Sequence, residues 1–408
     1  MPSRPLLKYP YLACVQSFVA ILLLLCSGCQ TSPEPPLPNS AWGNIIPIAQ
    51  VEQIGMPALW ADPTRVIATW IGADAGGIHH DARGWVDSKL SPVVVLPLPP
   101  VHPYAQSWVM ASGGNLHLLW LDATSNGQTR LYSALLDPQL NVVRGPTAVS
   151  DALALRYAAV PGSQGEAWVA WSGTVLSEPE LNLQAIDADG RPQLPQRVST
   201  NADYPAIARA NDEAMLLFWL EGGQLMRAVV SNGAVLERSS LMNSVFLGVG
   251  DRLHSLRVGL DQTHAIVFWN ITRMNGENET WFVSTTIGAT STDQPTLLTM
   301  DTLPGTVFET GFNTGSATAA RTGESPLSWA SPLPGQYETL PVTVQSPTGL
   351  GVVYFRDGVV AAYQEVVEGT QLIGEPTLIS DRNRDLYLAW FEPSVDGAAT
   401  FLLTTTKR

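Results

Sequence analysis

The chain has 408 residues, 45% of them hydrophobic and only 14% charged, with 22 Lys and Arg against 36 Asp and Glu. This composition excludes a disordered chain, which needs low hydrophobicity and dense charge, and the length suits one large domain or two to three ordinary ones. The formal net charge of −14 argues against a nucleic-acid partner, because phosphate contacts need a clustered positive field.

In chain order the first predicted element is an export signal over residues 1–28. Arg4 and Lys8 precede an uninterrupted apolar run from Ser17 to Leu25. At ~1.5 Å per residue this run cannot cross a ~30 Å hydrocarbon core, so it reads as the h-region of a signal peptide. It ends in Cys26-Ser27-Gly28-Cys29, and small residues before a cysteine resemble the lipobox of bacterial lipoproteins. Ser27, Gly28 and Cys29 match that pattern, whereas Cys26 stands where the family usually has Leu. The resemblance implies cleavage after Gly28 and a diacylglycerol on the Cys29 thiol. Gln30 is not the Asp that retains lipoproteins at the inner membrane of diderm bacteria. An extracytoplasmic location is therefore expected, at the outer membrane or, in a monoderm, on the outer cell surface.

All three cysteines, Cys14, Cys26 and Cys29, lie in this segment or at its boundary. The mature chain then has no disulfide, as a domain large enough to bury a full core allows. Removing residues 1–28 takes away two cations and no acid. The remaining acidic domain is repelled by anionic lipid, so lipid chains and not protein charge would make the membrane its partner. Residues 29–43 carry four prolines between Thr31 and Ser40 and read as an extended, semi-stiff tether.

From residue 44 to 408 the pattern is all-β: short β-branched and aromatic runs between Gly, Asn, Asp and Pro clusters, with no apolar stripe of helical period. Runs ending in an aromatic recur at Trp70, Trp120, Trp171, Trp219, Trp269, Tyr354 and Trp390, in steps of 50, 51, 48, 50, 85 and 36 residues. Each is flanked by an earlier run and by two later ones. Four strands in about 50 residues is the grammar of a β-propeller blade. The long step is assigned to a loop insert at 301–340 between blades five and six, with Leu350–Tyr354 as the second strand of blade six and its fourth strand near Gly369–Gly374. The last unit lacks a fourth strand, while an orphan run from Asn44 to Glu52 precedes the first. Placing that run in the last blade completes seven blades and closes the ring. Six or eight blades are the alternatives that the 301–340 region leaves open. Each anchor is predicted to end the second strand and to fill the gap between neighbouring twisted sheets.

The turn Asp187-Ala-Asp-Gly190 gives the repeat a resemblance to sialidase-like bacterial propellers, although the Asp-box Ser-x-Asp-x-Gly-x-Thr-Trp is absent. Sialidase chemistry requires three converging arginines, a Tyr nucleophile with a Glu partner, and an acid. No spacing selects such a set. In a propeller the connections from fourth to first and from second to third strands share one face. That face is expected to carry Pro97–Tyr104, Ser244–Arg252 and the insert, with Asp122, Glu221, Arg356 and Glu392 as candidate binding residues, each two positions past its anchor. His79-His80-Asp81 is the most metal-like cluster, but neighbours on a strand point to opposite faces, so no metal is expected there. Phosphate-cradling glycine motifs and a nucleophile elbow are absent, and no cofactor is expected. The expected function is a lipid-anchored binding or scaffolding module for a glycan or an envelope protein. The alternative is a sialidase-type glycoside hydrolase.

Overall fold

A computed structural model describes residues 42–406 except 53–55, 99–102, 112–113, 124–127, 151–152, 176–177, 246, 290–291, 304–326, 371 and 396–398. The predicted signal peptide, Cys29 and most of the tether therefore lie outside the described residues. The described chain forms seven antiparallel sheets arranged as the blades of a propeller. Blade 1 runs from Ala58 to Val95, and blade 7 joins Thr377–Ser380, Leu386–Pro393 and Ala399–Thr405. As expected, the orphan N-terminal run closes the ring: Ile46–Val51 pairs with the third strand of blade 7, Ile46 opposite Leu403 and Val51 opposite Ala399. The first strand of each blade touches the first strands of both neighbours, blade 7 against blade 1 included.

Six of the seven anchors fill gaps between blades, as predicted. Trp70, Trp120, Trp171, Trp219, Trp269 and Trp390 all lie on second strands and are almost wholly buried. Each packs toward the preceding blade. Trp219 sits with Val160, Ala170 and Leu183 of blade 3, and Trp390 with Val342, Val353 and Phe355 of blade 6. The strands continue beyond the tryptophans, however, so the anchors lie inside them and not at their ends.

Blade 6 departs from the expected register by one strand. Its strands are Ser328–Pro332, Leu340–Ser346, Gly349–Arg356 and Val359–Glu368. Tyr354 therefore belongs to the third strand, and the fourth lies before Gly369 and not at Gly369–Gly374. The latter portion of the supposed 301–340 insert holds the first strand, while 304–326 lies outside the described residues. The cause is a change of filler. The second strand of blade 6 offers Leu340, Val342 and Val344 to the gap, and an aromatic trio from both blades completes it. Phe355 meets Phe268 at 5.3 Å and Phe282 at 5.1 Å, both edge-on. With no tryptophan in that strand, aromatic spacing selects the next run along.

Turns on one side of the ring, between first and second and between third and fourth strands, are shaped by side chains accepting from the backbone. Asp261 Oδ1 accepts from the N–H groups of Thr263 and His264. Asp381 does so from Asn383 and Asp385, and Asp187 from Asp189 and Arg191. Such Asx turns fix a tight reversal locally, which is why short polar clusters mark the strand ends in the sequence.

Because the indole of Trp219 fills an interblade gap, Trp219→Ala is expected to cost about 3–5 kcal/mol, read as a lowered urea midpoint. Truncating the exposed Leu236 should change that midpoint far less.

Candidate functional site

The innermost strands of the blades surround a central cavity of about 350 Å³. Its wall includes Tyr104, Arg156, Tyr157, Tyr204, His254 and Arg257, joined by Met56 from the approach to blade 1 and Glu375 from the approach to blade 7. A repeated local feature presents these side chains. The pairing of first with second strands is irregular near the start of the first strand in blades 2 to 6, at Tyr104/Ser107, Ala154/Arg156, Asp203/Ala206, Leu253/Ser255 and Ser328/Ser331. A bulge re-aims side chains and disturbs the alternation of a strand. Ala105 and Tyr204 adopt left-handed backbone angles within two of them, with φ of 48° and 57°. For non-glycine residues that conformation costs on the order of 1–3 kcal/mol, and it persists because the surroundings hold it.

What holds it here is a girdle of polar links between blades. The Tyr157 hydroxyl lies within hydrogen-bond reach of the carbonyls of Ala105 and Leu119 in blade 2 and shares its single proton between them. Tyr204 donates to the carbonyl of Leu253 in blade 5 at 2.9 Å. The Arg156 guanidinium lies 3.9 Å from the centre of the Tyr204 ring, donates to Tyr204 Oη at 3.0 Å and pairs with Asp203 at 2.5 Å. Asp203 also accepts from Ser172 Oγ at 2.5 Å. Across the channel Arg257 pairs with Glu375 at 2.8 Å. Burial pushes the Tyr157 hydroxyl well up, and burial also raises Tyr204 against the opposing pull of Arg156. Both phenols remain protonated donors at neutral pH.

The sequence-selected candidates lie elsewhere, and none of the four lines this cavity. Asp122, Glu221 and Glu392 are at the ends of second strands, on the expected face. Two of them brace the anchors. Glu221 accepts from the Trp219 indole at 3.0 Å and from Ser199 at 2.7 Å, and pairs with Arg238. Glu392 accepts from the Trp390 indole at 2.9 Å and from Thr370 at 3.0 Å. Burial raises the Glu221 carboxyl, but these donors outweigh it and hold it below the usual range. Asp122 is itself buried. Arg356 is the correction: it ends a third strand, so it belongs to the opposite face, where it donates to Thr339 at 3.1 and 3.2 Å. Its placement follows from the register shift in blade 6. The channel residues were missed because no spacing in the sequence links Met56, Arg257 and Glu375.

His79-His80-Asp81 alternates as the strand period requires. His79 Nε2 lies 3.1 Å from Asp81 Oδ1, while His80 points the other way, buried, 3.0 Å from Gln106 Oε1 and edge-on to Trp120 at 4.9 Å. Among the described residues no group of three or more His, Cys, Asp or Glu side chains is arranged to hold a metal. For sialidase chemistry, the described wall of the cavity carries two arginines and not three, and each faces a carboxylate of this chain.

No family model and no curated protein sequence matches the chain. Its fold is similar to solved structures. A PL25 ulvan lyase bound to a GlcA and Rha3S saccharide aligns with TM-score 0.52 at 10% identity, over 90% of this chain and 94% of that one. The polysaccharide lyase Uly1 aligns with TM-score 0.50 at 10% identity, over 92% and 94%. A Hadza microbial sialidase gives 0.44 at 10% identity, over 72% and 63%. At this identity the likeness establishes the fold alone: the chain is a seven-bladed β-propeller.

Burial lowers His80 to about 4, against a weaker opposing effect of its bond to Gln106. Unfolded histidine titrates near 6.5, so between about pH 6.5 and 4 the unfolded chain binds a proton that the folded chain refuses. Stability present above that window is lost as pH falls through it, on the order of 3 kcal/mol from this residue. Denaturation midpoints of His80→Gln across that range should fall less steeply with acid than those of the parent.

Proposed function

We propose that the protein is a lipid-anchored, extracytoplasmic propeller that binds a glycan in its central channel. The observation that carries this reading is the cavity itself: about 350 Å³, within the ~300–1,000 Å³ range of ligand pockets. Its wall combines tyrosine rings, a histidine and two arginine–carboxylate pairs on a rigid ring. Tyrosine faces pack against the C–H faces of a sugar, while charged pairs hydrogen-bond to its hydroxyls. Propellers of similar fold include polysaccharide lyases, which supports a saccharide over other small ligands. Binding in place of hydrolysis fits the two tyrosines, whose hydroxyls are held as donors to backbone carbonyls and are poor nucleophiles. Cys29 would supply the anchor, and the Pro-rich stretch after it would carry the domain away from the membrane.

Two experiments test the reading. Leu155 lines the cavity and is partly exposed, so Leu155→Trp should fill the channel without disturbing the core. On a glycan array the parent is expected to retain saccharides that this variant loses by about tenfold or more, near 1.4 kcal/mol, at an unchanged melting temperature. Retention of nothing by the parent would refute the proposal. For the anchor, Cys29→Ser should abolish incorporation of a labelled fatty acid and move the protein from the membrane to the soluble fraction.

A further inference from the structure

The charge layout of the channel selects among glycans. The only lysine or arginine side chains among the described lining residues are Arg156 and Arg257. Each is already engaged. Arg156 directs one nitrogen to Asp203 at 2.5 Å and another to Tyr204 Oη at 3.0 Å, with its central carbon over the Tyr204 ring. Arg257 directs one nitrogen to Glu375 at 2.8 Å, and the Glu375 side chain is only 10% exposed. Asp203 is tied down further by Ser172 Oγ and by the backbone N–H of Tyr204 at 2.7 Å.

An incoming carboxylate or sulfate would either set its charge beside that of Asp203 or Glu375, or displace the pair and leave a largely buried carboxylate without its cation, and both are unfavourable. It would also enter against the field of a chain of net charge −14. A neutral hydroxyl meets no such obstacle. It donates to the carboxylate oxygen and accepts from the free guanidinium N–H groups at once, so adjacent hydroxyls of one sugar complement an intact pair.

We infer that the channel takes a neutral, hydroxyl-rich glycan and discriminates against acidic ones, an inference that rests on the reading of the channel as a glycan site. Glu375 is then a specificity residue: by occupying Arg257 it keeps that arginine from serving as an anion receptor.

The test is calorimetric titration of the detergent-solubilised full chain with two size-matched sets. One holds neutral xylo-, cello-, manno- and malto-oligosaccharides, and the other oligogalacturonates and sialyllactose. The best neutral ligand is expected to bind about tenfold or more tighter than the best acidic one, with little change on adding salt. In Glu375→Gln the freed Arg257 should narrow that preference by about tenfold, with acidic ligands now salt-sensitive. Tighter binding of the acidic set by the parent, or a preference untouched by Glu375→Gln, overturns the inference while leaving the glycan site standing. Binding of neither set overturns the glycan reading and the inference with it.

Discussion

Sheets that twist and radiate from one axis are close at their inner strands and diverge outward, so each pair of neighbours leaves a wedge that must be filled. The whole ring depends on that filling. Six tryptophans on second strands occupy six of the wedges, and a set of phenylalanines and aliphatics occupies the seventh. A tryptophan fills such a space well but brings an N–H that must be satisfied. Glu221 and Glu392 meet this need from two residues further on, and Gln184 meets it for Trp171 at 3.1 Å. Trp120 has Asp122 at that place, one methylene shorter, and the Trp120 and Trp269 indole N–H groups are buried without an acceptor among the described residues, the Trp120 ring lying edge-on to His80 at 4.9 Å.

Ring closure turns this packing into a site. Since the N-terminal strand completes the last blade, the first strands are locked into a continuous wall. Residues 118 and 320 positions apart then meet: Arg257 with Glu375, and Thr377 Oγ1 with the Pro57 carbonyl at 2.9 Å. The bulged starts of the first strands lift side chains toward the axis, and the Arg156, Asp203 and Tyr204 cluster holds one of them in its strained conformation. Rigidity of this kind lowers the ordering cost of binding. In this acidic chain the channel pairs each of its two arginines with a carboxylate.

The sequence by itself determined the all-β class, the seven-fold repeat, the closing N-terminal strand and the burial of the tryptophan anchors. Those follow from period-two patterning, turn residues and a 50-residue spacing, which are local or periodic properties legible along a chain. It misplaced one strand in blade 6 because the filler there is Val342 and Val344 on one run and Phe355 on the next, so the aromatic marker jumped. With it went Arg356, assigned to the wrong face. Only the tertiary structure decided the site. Glu221 and Glu392 look like exposed turn acids in sequence, yet each has an indole N–H to accept. The channel pairs join residues from different blades, and no spacing rule relates them. Their meeting is set by the radius of the closed ring, a quantity that no segment of the chain contains.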